Sequence, residues 1–144
     1  MKARTVSPLT QPERDRFDAL LEEAIDALPV ELRDLIEQVP VIVEDHPDRE
    51  VLEEFRDQDG KLPELDELCG LHTGIPFTER HLDGDPELPP EIMLYRLGII
   101  VVAGGWDQPD ADDIVYEEIM ITLLHEMGHQ FGLDEEDLRR LGYE

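Results

Sequence analysis

The feature that most constrains the fold is a long, mostly apolar segment close to the C-terminus. The stretch DADDIVYEEIMITLLHEMGHQFG, residues 110–132, begins with acidic residues that suit the positive end of a helix dipole. Gly132 is placed to end the helix in a left-handed turn. The segment therefore predicts a long, central helix around which the rest of the chain must pack. Its apolar residues in near-helical spacing are Ile114, Ile121, Leu124 and Met127.

Two histidines lie four residues apart in the last two turns of this helix. His125 and His129 project from the same face, so both imidazoles can reach one metal ion. Zinc binds histidine nitrogen at about 2.0–2.1 Å, and catalytic zinc sites keep one position open for water. Glu126 points partly toward that position, where a carboxylate can accept a proton from water whose pKa is lowered to about 7. The pattern predicts amide hydrolysis, against the alternative of an amphipathic helix that carries two histidines by chance.

A third protein ligand is expected, because catalytic zinc sites typically have three. Only fifteen residues follow His129, and the candidates among them are Asp134, Glu135 and Glu136. Asp134, with Asp137 three residues later, is an acidic variant of the capping box at the start of a short helix. If Asp134 caps, its carboxylate is occupied by backbone N–H groups. Glu135 is then the better candidate and Asp134 the runner-up, although capping and dipole compensation alone would also account for both.

These residues carry a resemblance to a known family. The segment HEMGHQFGLDEEDLRRLGYE, together with PPEIMLYR and GLHTGIPFTER upstream, resembles the minimal zincins, small bacterial zincin-like proteins predicted to be metallopeptidases. The resemblance covers most of the chain from about Phe17 onward and weakens across residues 44–61 and 98–110. Its most specific part extends H-E-x-x-H by x-x-G-x-x and an acidic residue.

The resemblance implies a site as well as a family. It makes His125 and His129 ligands of one Zn²⁺, Glu126 the general base and Glu135 the third ligand. Family members usually carry Asp at that last position after a Ser cap, whereas this sequence has Glu135 after Asp134. The expected fold is α+β and zincin-like, mainly helical, with a small sheet packed beside the metal-bearing helix.

A strand is predicted for EIMLYR, which follows two prolines. In zincins a strand bordering the cleft pairs with extended peptide substrate, and strand addition of this kind accepts many side chains. The alternative is an interior strand without ligand contact. The next run, LGIIVVAGGW, fits either a strand or a packed helix. The resemblance gives the substrate-binding role to Ile92, Met93, Leu94, Tyr95 and Arg96.

The remaining elements follow from local patterns. Thr10 and Glu13 form a capping box that begins a first helix, and Pro29 opens a second one. The β-branched run at residues 39–45 predicts a buried strand. The acidic stretch after it predicts a loop with one or two short helices. Residues 70–90, rich in Gly and Pro, predict an irregular segment.

Composition sets the remaining expectations. A chain of 144 residues predicts a single domain spanning residues 1–144. The one cysteine, Cys69, excludes an intramolecular disulfide, fits a reducing compartment and is expected to act as a small buried hydrophobe. The sequence shows neither a secretory h-region nor an apolar run of about 20 residues. A cytoplasmic location is therefore predicted.

The formal net charge of -25 bears on the partners of the chain. Such a surface repels phosphate backbones and anionic lipids, so nucleic acid and membranes are disfavoured. It attracts basic or unfolded cationic segments, although a solvated surface that serves solubility is the simpler interpretation.

The function predicted from the sequence is zinc-dependent hydrolysis of peptide bonds in a peptide or protein substrate. One alternative is a non-catalytic protein-interaction module stabilised by zinc. Purely structural zinc sites usually have four Cys or His ligands and need no adjacent Glu, which argues against it. The other alternative is an acidic interaction protein without metal, which the metal content of protein purified without chelator would reveal.

Overall fold

A computed structural model describes residues 8–73 and 91–140 of the chain. Helix α1 (Gln11–Ala27) begins at the predicted capping box: Thr10 Oγ1 accepts from the backbone N–H of Glu13, and the Glu13 carboxylate accepts from the N–H of Thr10 at 2.9 Å. The other elements are α2 (Val30–Gln38), β1 (Val41–Glu44), α3 (Arg49–Glu54), β2 (Gly70–Thr73), β3 (Glu91–Tyr95), α4 (Arg96–Ala103), α5 (Ala111–Phe131) and α6 (Glu135–Arg140). The predicted class, α+β with a small sheet, is confirmed.

The structure agrees with some of the predicted helices and strands and differs from others. The second helix follows Pro29, and the ambiguous run after β3 is a helix, α4. A buried strand was expected at residues 39–45, but strand β1 is only half-buried. The segment expected to be irregular begins with a strand, β2, while its residues 74–90 lie outside the described part of the chain.

The sheet has the order β1-β3-β2. Strand β1 runs parallel to β3, with Val41 opposite Ile92, and β2 runs antiparallel to it, with Gly70 opposite Leu94. Both backbone edges of β3 are therefore occupied by neighbouring strands. An extended substrate cannot add to β3 as a further strand, so strand addition along β3 is wrong, whereas substrate contact through the side chains of these residues stays a prediction.

The side chains of the same five residues agree with this correction. Ile92 and Leu94 are 0% exposed and belong to the core. The Arg96 guanidinium is held by ion pairs with Asp18 and Asp45, each at 2.9 Å. The remaining two, Met93 and Tyr95, line a cavity on the other face of the sheet.

Helix α5 is the central element, as predicted. It contacts α1 and α4 and packs across β2 and β3. Its buried stripe differs from the expected one, because Ile121 is 52% exposed. The helix ends where Gly132 adopts the left-handed conformation, with φ of 68°, and its N–H donates to the carbonyl of Gly128. The fully buried residues of the stripe include Val115, Ile119, Leu123 and Met127.

Helix α4 lies directly against the chain that leads into β2. A Cβ atom added to Gly98 would come within 2.1 Å of the carbonyl oxygen of Leu68 and 3.2 Å of the Cα atom of Cys69. The obstructing atoms are backbone, which cannot rotate away as a side chain can. The missing side chain at Gly98 therefore sets the distance between α4 and the start of β2.

We expect Gly98→Ala to lower the free energy of unfolding by roughly 1–3 kcal/mol, the usual cost of overpacking. Helix propensity alone would favour alanine by about 1 kcal/mol, so the sign of the effect separates sterics from propensity. Urea denaturation measures the change. Val102→Ala, at a 57% exposed position of the same helix, is the control and should change stability by less than about 0.5 kcal/mol. A Gly98→Ala variant as stable as this control would contradict the close approach.

Candidate metal centre

The two histidines of the motif lie together at the C-terminal end of α5. Both are exposed, their Nε2 atoms are 3.0 Å apart, and their ring centroids are 4.5 Å apart with the rings steeply inclined. The two nitrogens are within hydrogen-bonding distance, and the tautomers of the rings decide which of them donates. The i, i+4 spacing thus aims both nitrogens at one point, as expected.

This arrangement fits a zinc ion. Two nitrogens that each lie about 2.0–2.1 Å from a common ion, at angles between about 90° and the tetrahedral angle of about 109°, are about 2.8–3.4 Å apart. The Nε2 atoms of His125 and His129 already have such a separation. Imidazole is also a donor that zinc prefers. The pair can therefore hold an ion without moving the helix.

Glu126 occupies a different environment from the histidines. It lies about 100° around the helix from His125 and is only 7% exposed. Its Cγ atom is beside strand β2: a Cβ atom built on Gly70 would approach it to 3.2 Å and would approach Thr122 Cγ2 to 3.0 Å. The absence of a side chain at Gly70 therefore makes room for the Glu126 side chain between helix and sheet.

The negative charge of Glu126 contributes to raising the pKa of two side chains, Cys69 and Tyr95. The pKa of the Cys69 thiol is raised, mainly by burial and then by the carboxylates of Glu118 and Glu126. Cys69 packs against the core and its thiol stays protonated, as fits a small hydrophobe, but the residue is half-buried and not buried as expected. Burial and surrounding carboxylates, Glu126 among them, also raise the pKa of Tyr95 to about 12.

The acidic segment after α5 forms the predicted cap. The Asp134 carboxylate accepts from the N–H of Asp137 at 2.8 Å, and the Asp137 carboxylate accepts from the N–H of Asp134 at 3.0 Å. The hydrogen bond from the Asp137 backbone is the main reason why the pKa of Asp134 is lowered. Glu135 is the first residue of α6 and is exposed.

The structure brings together only part of the predicted ligand set. Across residues 8–73 and 91–140, no three His, Cys, Asp or Glu side chains form a group that could hold a metal ion. His125 and His129 adjoin each other, whereas neither Glu135 nor Asp134 completes a group of three with them. The third ligand stays a prediction.

A profile described as zincin-like metallopeptidase matches residues 36–143, which is 108 of the 144 residues. The chain belongs to this family. The match contains the sheet, the histidine pair, Glu126 and the acidic cap, and it begins at residue 36, later than the resemblance expected from about Phe17. No curated protein matches the chain. Membership of the zincin-like family implies zinc binding, which the donor pair on α5 fits.

Sequence reasoning missed the contact between Gly70 and Glu126, because β2 offers only four residues, too few for a clear alternation of apolar and polar positions.

Within the described ranges, no helix has the length and apolar character that crossing a membrane requires.

The proximity of Cys69 to Glu126 can be tested in solution. Because a nearby negative charge disfavours the thiolate, Glu126→Gln should lower the pKa of Cys69. The pKa should stay above that of a free thiol, since burial is the larger cause. The thiolate absorbance measured against pH reports the change, and Glu64→Gln serves as the charge-matched control. An unchanged thiol pKa in Glu126→Gln would show that this carboxylate lies elsewhere.

Proposed function

We propose that this zincin-like chain is a zinc-dependent peptidase. In this proposal His125 and His129 hold one zinc ion through their Nε2 atoms, and Glu135 is the third protein ligand. The observation that carries it is the pair of Nε2 atoms 3.0 Å apart, next to a carboxylate that is almost buried. Family membership supports the same reaction class.

The chemistry divides between the ion and the protein. When bound, a zinc ion lowers the pKa of water and polarises a peptide carbonyl. Glu126 accepts the proton of the attacking water and passes it to the nitrogen of the leaving amine. Its stem is restrained between α5 and Gly70, and a restrained carboxylate is a better-oriented proton acceptor than a freely rotating one.

Glu135 is proposed as third ligand because of what its neighbour does. One oxygen of the Asp134 carboxylate is engaged by the backbone N–H of Asp137, and this cap restrains the orientation of the carboxylate. Glu135 lies outside the reciprocal cap, at the first position of α6. Helix α5 ends at the left-handed Gly132, three residues after the second histidine. Glu135 follows three residues later, so the acidic segment is close to the donor pair in sequence.

The substrate class in this proposal is a peptide or protein, and the place of action is the cytoplasm. A net charge of -25 disfavours nucleic acid and anionic membranes as partners. The single half-buried cysteine fits a reducing compartment.

Cleavage of a diverse fluorogenic peptide library tests the activity. We expect hydrolysis by the zinc-loaded chain, its loss on addition of chelator and its return when zinc is restored. Glu126→Gln should keep the zinc, measured by elemental analysis, and lower kcat/KM by about 10²–10⁴. Undiminished hydrolysis by zinc-loaded Glu126→Gln would rule out the general base. A chain that zinc stabilises but that cuts no peptide would instead be a zinc-stabilised module.

The third ligand can be tested by comparing two neighbouring substitutions. Glu135→Ala should weaken zinc binding at least about tenfold more than Asp134→Ala, because removing a direct ligand exceeds the 10–100-fold effects typical of outer residues. Competition with a chromophoric chelator measures both affinities. Asp134→Ala should instead reduce helicity in α6, through loss of its cap. A larger loss of zinc affinity in Asp134→Ala would reverse the assignment.

A further inference from the structure

A cavity lies on the face of the sheet that turns away from α5. Side chains alternate between the faces of a strand, and Ile92 and Leu94 of β3 face the core. Met93 and Tyr95 therefore face the other way, where they line a cavity of about 280 Å³. Gly70 faces Glu126, so Leu71, the next residue of β2, lines the cavity as well. The sheet thus separates this cavity from Glu126.

The carboxylates that line the cavity are Glu44, Asp48 and Glu91. None of them forms an ion pair with a cationic side chain in residues 8–73 and 91–140. One oxygen of Asp48 accepts from the N–H of Val51, which caps α3. The cavity therefore gathers negative charge that no described side chain neutralises.

The neighbouring arginines are engaged elsewhere. Arg14 and Arg96 line an adjacent cavity that shares Glu44 and Asp48 with this one. Arg14 pairs with Asp45 at 2.8 Å, and Arg96 is divided between Asp45 and Asp18. Their guanidinium groups are therefore committed to partners other than the carboxylates of the cavity.

A buried phenol also lines the cavity. Tyr95 is 1% exposed, yet its pKa of about 12 is set by burial and by the charges of Asp48, Glu44, Glu91 and Glu126. Its hydroxyl forms no hydrogen bond within the described ranges. Because Tyr95 lines the cavity, this hydroxyl is available to a ligand there.

His46 also lines the cavity, and its Nδ1 lies 2.9 Å from the carbonyl oxygen of Pro47, to which it donates. The other polar groups that line the cavity are three carboxylates and a phenol, all able to accept. A complementary ligand must bring positive charge and N–H donors.

The apolar walls and the volume of the cavity further restrict the class of ligand that fits it. Leu71, Met93 and Val51 form apolar walls. Binding sites for drug-sized ligands occupy about 300–1,000 Å³, so a cavity of about 280 Å³ suits one long side chain. No three of the acidic and histidine residues in the described ranges are close enough to share a metal ion. An ammonium group on an alkyl stem satisfies the walls and the carboxylates together.

We propose that this cavity binds the alkylammonium end of a lysine side chain, with the stem against Leu71 and Met93 and the ammonium among Glu44, Glu91 and the Tyr95 hydroxyl. The site goes beyond the proposed peptidase activity, because it lies across the sheet from Glu126 and uses none of the histidines of α5. It gives the chain a specific contact for a basic protein or peptide.

Calorimetric titration of the zinc-loaded chain at about 0.15 M salt tests the site, since this salt screens diffuse attraction to the acidic surface. The probes are Nα-acetyl-lysine amide, Nα-acetyl-norleucine amide, which has the same carbon chain without the ammonium group, and 1,5-diaminopentane. We expect saturable binding of the lysine amide with one site, and binding of the norleucine amide at least about tenfold weaker, because hydrogen bonds to charged groups are lost. Equal binding of the two amides overturns the proposal.

Substitutions of the residues that line the cavity test whether the lysine amide binds there. Glu44→Gln and Glu91→Gln should each weaken lysine binding about tenfold, and the isosteric Tyr95→Phe should weaken it several-fold. Glu23→Gln removes the same charge from an acidic groove lined by residues of α1 and α5 and should change nothing. Equal loss in Glu23→Gln and Glu44→Gln, or no saturable binding, overturns the proposal. Circular dichroism and thermal melting check that each variant is folded.

Three further comparisons distinguish lysine binding in this cavity from an effect of the donor pair on α5, from polyamine binding and from metal binding. His125→Ala should leave lysine binding unchanged, so a failed peptidase assay and a failed cavity are distinguishable. Tighter binding of the lysine amide than of 1,5-diaminopentane supports a protein partner, whereas preference for the diamine overturns the assignment to lysine. Saturable calcium binding that Glu44→Gln abolishes would identify a metal site and would also overturn it.

Discussion

The packing of one side of α5 into the core that α1, α4 and the sheet share with it fixes the orientation of everything else in the site. Val115, Ile119, Leu123 and Met127 are 0% exposed and follow one another at intervals of four residues. Each fully buried apolar side chain of this kind stabilises the fold by roughly 1.5–3 kcal/mol. Rotating α5 would expose the whole stripe, so the helix has one orientation. The positions of the histidine pair and Glu126 are consequences of that orientation.

The local parts of this arrangement were predictable from the sequence, and the non-local parts were not. The cap at Thr10, the reciprocal cap at Asp134 and the turn at Gly132 each depend on residues within five positions of one another. The i, i+4 spacing of the histidines is equally local. Sequence patterns carry such information because helix geometry alone decides which of these groups meet.

Strand order, in contrast, depends on contacts between segments far apart in the chain. Nothing in EIMLYR states that β3 lies between β1 and β2, which precede it by roughly fifty and twenty residues. The segment predicted a strand, but not that both of its edges are paired. The same applies to Arg96, whose partners Asp18 and Asp45 come from α1 and from the loop after β1. Topology, and not composition, made the predicted substrate edge an interior strand.

The central place of β3 also fixes its register. A slip of one residue would turn Met93 and Tyr95 into the core and send Ile92 and Leu94 to the outer cavity, because the side-chain period of a strand is two. Pairing on both sides opposes such a slip, since β1 and β2 would each lose their ladder. The lining of the acidic cavity is therefore held by the same pairing that holds the core, and an insertion or deletion within β3 would exchange one for the other.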